Sequence, residues 1–354
     1  MNHRIIFKNT SLKSKVVSVL SLTFFSTLFV TSFNAQNNLK IAEGYTHFQI
    51  KLKNDTIDFV VAETNFAVKK PILLFCQGSQ PVPLFFDFPD QGIIPVTLNN
   101  FDVNEMKKKY HIAVISMPKT PVTVGWDHLN KSYNYVLDTT QEYSYSPEFV
   151  KADYLDNYVF RANQVLKFLS KQKWVDKNQL VVAGHSQGSH VALGIAYSNE
   201  KVTQLGLFGF NPLGRIDQYI RSARKQAEAD EITWKEADSI QKSRFDEYKM
   251  FYEPDSDKNG AFANSWKSFS KSQLNELINL KIPVYVAYGS NDINSDFCDL
   301  LPLYFIEKGK SDYTVIRYPN LEHNFFPVNK DGFPDYHNGK WYWVMNDFVF
   351  WTFK

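Results

Sequence analysis

The segment Leu180-Val181-Val182-Ala183-Gly184-His185-Ser186-Gln187-Gly188 constrains the fold of this chain more than any other. Its apolar run is the pattern of a strand buried on both faces. The G-x-S-x-G that ends the run requires a sharp turn into a helix, because side chains at the glycines would collide with the neighbouring strand and helix. The small residues over 187–197 supply that helix. Ser186 stands at the corner with its hydroxyl lifted clear, which makes it the candidate nucleophile. The plainer alternative is an unreactive serine in a tight turn.

The rest of the chain extends this unit. Apolar runs at 71–76, 111–116, 204–210, 281–288 and 313–318 read as strands, and 45–54 with 56–63 as an opening hairpin split at Asn54-Asp55. Helical periodicity covers 153–172 and 339–353. Strands alternating with helices predict an α/β fold with a mostly parallel central sheet and flanking helices. Between 211 and 280 the alternation stops. Ile232, Trp234, Ala237, Ile240, Phe245, Tyr248 and Phe251 are spaced there roughly as one helical face, with charges opposite. Two or three helices forming a cap over the sheet's carboxyl edge account for this, so 36–210 with 281–354 is the core and 211–280 a helical cap insertion. Trp234, Phe245 or Phe251 are then expected to face the pocket and select the substrate.

A serine hydroxyl needs a base, and in this strand–turn–helix arrangement the acid and the histidine follow the serine. His190, His323 and His337 are downstream. His190 is on the helix leaving the turn, too close to act, and reads as structural. His323 follows the last strand and is the candidate base, with His337 the alternative. Asp292, just beyond the strand at 282–288, is the candidate orienting acid, with Asp296 and Asp299 as rivals. Two amides are wanted for a developing oxyanion. Gln187 offers one, and the loop Gln77-Gly78-Ser79-Gln80 the other, through Ser79 or, second, Gln80. Aromatic residues from Tyr133 to Tyr158 precede and enter the helix before the elbow strand, where some line a pocket or all serve packing.

Gln77–Gln80, Ser186, Asp292 and His323, in this strand order, resemble the α/β-hydrolase superfamily of esterases, lipases and peptidases over roughly residues 45–354. Members often carry His-Gly where this chain has Gln77-Gly78. The resemblance implies hydrolysis through an acyl-enzyme intermediate without metal or organic cofactor. It leaves the substrate open. A carboxylic ester is favoured, a short peptide is the alternative, and a non-catalytic binding protein on the same fold is a third reading. Glu228, Asp230, Glu231, Glu236 and Asp238 are available to hold a peptide's ammonium, though basic residues are interspersed among them.

Arg4, Lys8, Lys13 and Lys15 precede an apolar stretch ending at Ser32-Phe33-Asn34-Ala35-Gln36, with no acidic residue in the first 35. That is the pattern of a secretory signal peptide over 1–35, predicting a secreted or periplasmic protein and cleavage after Ala35. A retained anchor is the alternative; no stable membrane span is expected after processing. The net charge of +2 comes from this leader, so the remainder gives no electrostatic case for nucleic acid. Cys76 and Cys298 read as free, half-buried thiols, although export permits a disulfide. Asp255-Ser256-Asp257-Lys258-Asn259-Gly260 matches half of a calcium loop, but Trp266 replaces the glutamate expected at the twelfth position. A polar turn explains it equally well, and no metal is expected.

Overall fold

A computed structural model describes residues 39–253, 260–330 and 332–354. The leader read over 1–35 and the calcium-like stretch at 255–259 lie outside the described residues.

The strands are β1 (Thr46–Lys51), β2 (Thr56–Val61), β3 (Lys70–Cys76), β4 (Phe85–Phe88), β5 (Gly92–Pro95), β6 (His111–Ile115), β7 (Thr123–Gly125), β8 (Val175–His185), β9 (Gln204–Phe208), β10 (Val284–Gly289) and β11 (Tyr313–Tyr318). Eight of them form one sheet in the order β1-β2-β6-β3-β8-β9-β10-β11. The β1–β2 and β2–β6 pairs are antiparallel, and every pair from β6 to β11 is parallel. This is the α/β-hydrolase fold expected from the resemblance. A small sheet, β5-β4-β7, was not expected.

The helices are α1 (Val103–Lys107), α2 (Pro147–Ala152), α3 (Leu155–Leu169), α4 (Gln187–Ser198), α5 (Arg215–Glu228), α6 (Trp234–Met250), α7 (Gly260–Ser270), α8 (Leu274–Asn279), α9 (Leu301–Glu307) and α10 (Trp341–Trp351). The parallel strands are apolar on both faces, so both must be covered. Ile72, Leu74, Val182, Leu205 and Val286 turn one way and pack with Val165 of α3, Ile195 of α4 and Phe305 of α9. Their neighbours Leu73, Phe75, Val181 and Ala287 turn the other way, against Val344 and Phe348 of α10. Period-two alternation within each strand thus builds two cores from one sheet.

Among its described residues, the segment expected to form a cap holds four helices, α5–α8, where two or three were anticipated. It does not separate at 280: Leu277 and Leu280 join the main core, so α8 belongs with the sheet. A Thr233–Glu236 capping box starts α6. Trp234 and Phe245 are each 53% exposed on it, while Phe251 is buried against Ile216 and Ala263. The seam between α5 and α6 is built from Ala223, Ala227 and Ala237. Small residues let two helices approach, which leaves the large aromatics of α6 outside the contact. The helical spacing was read correctly, but the wrong face was assigned to the pocket.

Candidate active site

The carboxyl ends of β3, β8, β10 and β11 lie along one edge of the sheet, where their following loops meet. Ser186 joins β8 to α4 with φ 56° and ψ −125°, a conformation non-glycine residues rarely adopt. Its N–H donates to the Phe208 carbonyl at 2.9 Å. A Cβ on Gly184 would sit 2.1 Å from the Gly188 carbonyl oxygen, and one on Gly188 2.1 Å from that of Cys76. Both glycines are therefore required by close backbone approach, as the motif implied.

His323, in the loop after β11, places Nε2 2.9 Å from Ser186 Oγ and Nδ1 2.8 Å from Asp292 Oδ2. Asp292 is buried at 2% exposure. Its Oδ2 also accepts from Ser295 Oγ at 2.7 Å and its Oδ1 from the Asn294 N–H at 2.9 Å. Burial opposes the charged carboxylate, but the His323 bond and these two donors outweigh it and hold its pKa below the usual range. Burial likewise opposes an imidazolium at His323, yet the bond and charge of Asp292 raise its pKa above that of a free imidazole. The arrangement can remove the Ser186 proton and retain it on a stabilised ring.

The alternatives lie elsewhere. Asp296 pairs with Arg221 and Lys225, and Asp299 with Tyr288 and Arg317. His337 is on an exposed turn beside Asp335. His190 is buried and bonded through Nδ1 to Gln273 at 2.7 Å; burial brings its pKa down to about 4, which agrees with a structural role.

The loop after β3 passes beside the serine, since a Cβ on Gly78 would lie 3.8 Å from Ser186 Cβ. Ser79 and Gln80 line the same cavity as Ser186 and Gln187. Gln187 opens α4, so its N–H is among those without an intrahelical acceptor. Gln80 has φ 77°, and its carbonyl accepts from Val82 at 2.9 Å.

The cavity above Ser186 has a volume of about 660 Å³. Its aromatic wall comes from Tyr143, Tyr145 and Phe149 before α3, and from Tyr219, Phe262 and Trp266 of α5 and α7. Trp234, Phe245 and Phe251 do not line it. Neither do the acidic residues from Glu228 to Asp238, all exposed.

Sequence reasoning missed two further residues. His185 fills the variable position of the motif and donates from Nε2 to the His323 carbonyl at 2.9 Å, while packing edge-on against Trp341. Burial, reinforced by His323, lowers its pKa to about 3, so it stays neutral and ties the histidine loop to the elbow. Arg215 enters the cavity from the start of α5; nothing in its local sequence marks it. Cys76 and Cys298 are free, and Cys298 is fully buried with its thiol donating to the Phe210 carbonyl at 3.2 Å.

No protein-family model matches the chain, and no curated protein matches it. Among solved structures it is similar to the acylaminoacyl peptidase of Pyrococcus horikoshii, at 15% identity and a TM-score of 0.49, over 88% of this chain and 42% of that one. It is also similar to a 2-hydroxy-6-oxo-6-phenylhexa-2,4-dienoate hydrolase from Rhodococcus sp. strain RHA1, at 13% identity and a TM-score of 0.43, over 79% of this chain and 92% of that one. The chain spans only 38% to 42% of the peptidase's length. Likenesses at this identity do not bear on activity.

Proposed function

We propose that the protein is an exported serine hydrolase that cleaves carboxylic esters through an acyl-enzyme intermediate. The observation that carries this reading is the unbroken chain from Ser186 Oγ through His323 to Asp292, at 2.9 and 2.8 Å, facing a 660 Å³ cavity. In the first step His323 Nε2 takes the hydroxyl proton as Ser186 Oγ attacks the ester carbonyl. The amides of Gln187 and Ser79 receive the oxyanion. Protonated His323 gives its proton to the leaving alkoxide. Water, deprotonated by the same nitrogen, then releases the acid and restores the serine.

The acidic residues from Glu228 to Asp238 lie outside the cavity and cannot hold a bound peptide's ammonium. Among the described residues the one carboxylate that lines it, Asp153, already accepts from Tyr158, Ser265 and Gln187, which favours an ester over a peptide. A fluorophosphonate probe is expected to label Ser186, and p-nitrophenyl acyl esters to turn over faster than aminoacyl anilides. Folded protein that resists the probe would instead support a binding role, and faster anilide cleavage a peptidase.

Export is proposed from the basic-then-apolar leader. N-terminal sequencing of protein recovered outside the cytoplasm should begin at or near Gln36. Intact Met1 on membrane-bound material would make the segment an anchor. No described helix is long and apolar enough to cross a membrane.

A further inference from the structure

The cavity above Ser186 contains a cation whose hydrogen-bonding capacity the protein leaves largely unused. Arg215 lies with its guanidinium 5.2 Å from the Trp266 ring centre and 5.0 Å from that of Phe269. Cation–π contact of this kind holds the guanidinium against the two rings without consuming its donors. The one side-chain acceptor it reaches among the described residues is Gln187 Oε1. Among the described residues it forms no ion pair. Asp217, two residues on, is taken by Arg221. Asp153, which lines the same cavity, accepts from Tyr158 at 2.8 Å, Ser265 at 2.7 Å and Gln187 Nε2 at 3.3 Å. The Gln187 amide therefore stands between the two charges, bonded to each.

A guanidinium has five donors in a planar fork that matches a carboxylate. We infer that Arg215 binds a carboxylate carried by the substrate, so that the site prefers esters whose acyl or leaving portion ends in an anionic carboxyl group. The inference rests on the reading of Ser186 as nucleophile. Arg215 lines the same cavity as Ser186 and bonds the side chain of the residue next to it, so anion and reacting carbonyl share one cavity, as the two ends of the half-ester of a small dicarboxylic acid would. Asp153 in the same cavity disfavours a dianion such as a phosphate monoester, because its charge offsets that of Arg215. A single delocalised carboxylate meets the fork with the least repulsion. Burial lowers the Arg215 pKa and Asp153 raises it, without removing a charge that guanidinium retains at any working pH.

Matched p-nitrophenyl esters test this: the hemiglutarate against the neutral pentanoate of the same chain length. Wild-type kcat/KM should favour the hemiglutarate by about tenfold or more, and Arg215→Met should bring that ratio down to about 1, with Arg215→Lys between them. Fluorophosphonate labelling of each variant establishes that Ser186 remains reactive. Equal rates on both esters in the wild type overturn the inference, as does an equal loss on both in a folded, labelling Arg215→Met protein. A second measurement stands apart from turnover. Calorimetric titration of glutarate into Ser186→Ala should show saturable binding that Arg215→Met in the same background abolishes. Absence of glutarate binding overturns the carboxylate site even in an active esterase. Binding without any turnover or labelling leaves the site standing and removes the hydrolase reading.

Discussion

Ser186→Ala and His323→Ala are each expected to lower kcat on an activated ester by about 10³-fold or more, with little change in the thermal unfolding midpoint. The two side chains meet at 2.9 Å on the rim of a cavity, so removing either takes away proton transfer and leaves both cores intact. The pH profile gives a sharper readout. Only neutral imidazole can accept the serine proton, so kcat/KM should rise with pH through the ionisation of His323. Burial alone would push that limb down; Asp292 reverses it, and the limb should lie above that of a free imidazole. Asp292→Asn removes the opposing charge, so the limb should move to lower pH while kcat falls by about 10⁴-fold. Normal turnover in His323→Ala, with loss in His337→Ala, would transfer the base role to His337.

Gly188→Ala should be among the most damaging single methyls, alongside Gly184→Ala and Gly289→Ala. Its Cβ would lie 2.1 Å from the Cys76 carbonyl oxygen and 2.4 Å from that of Gln77, and both contacts are backbone, with no flexible end to swing aside. Either α4 moves away from β3 or the strand bends, and each displaces Ser186 from His323. We expect a loss of about 3 kcal/mol in urea denaturation, together with loss of fluorophosphonate labelling. A Gly188→Ala protein with wild-type stability and labelling would show that the helix and strand do not meet this closely.

The centre of the main sheet was legible because its strands are buried on both faces. Runs such as His111–Ile115 and Val284–Gly289 are continuous and bounded by polar turns, so pattern alone finds them. The small sheet escaped notice because Phe85–Phe88, Gly92–Pro95 and Thr123–Gly125 are too short to show a period and are flanked by prolines. The positions of Ser186, Asp292 and His323 could be read from chain order, since each follows a recognisable strand. His185 and Arg215 could not. Their partners lie 138 and 28 residues away, and no local pattern encodes such a contact. The face of α6 was misjudged for a related reason: periodicity weights large apolar residues, while alanines make the α5–α6 seam.

The placement of Ser186, Asp292 and His323 after different strands has a consequence for the order in which the chain assembles this site. β8 and β11 are separated in the sheet by β9 and β10, and Ser186 is 137 residues from His323. Closing so long a loop precedes any contact that rewards it, so parallel pairings of this range form late in folding. The strained corner at Ser186 can exist once β3, β8 and α4 have docked, but it has no base until β10 and β11 add to the edge. A chain still emerging from a ribosome therefore lacks the Ser186–His323 contact, and on the proposed reading its serine gains a base only as the last strands join.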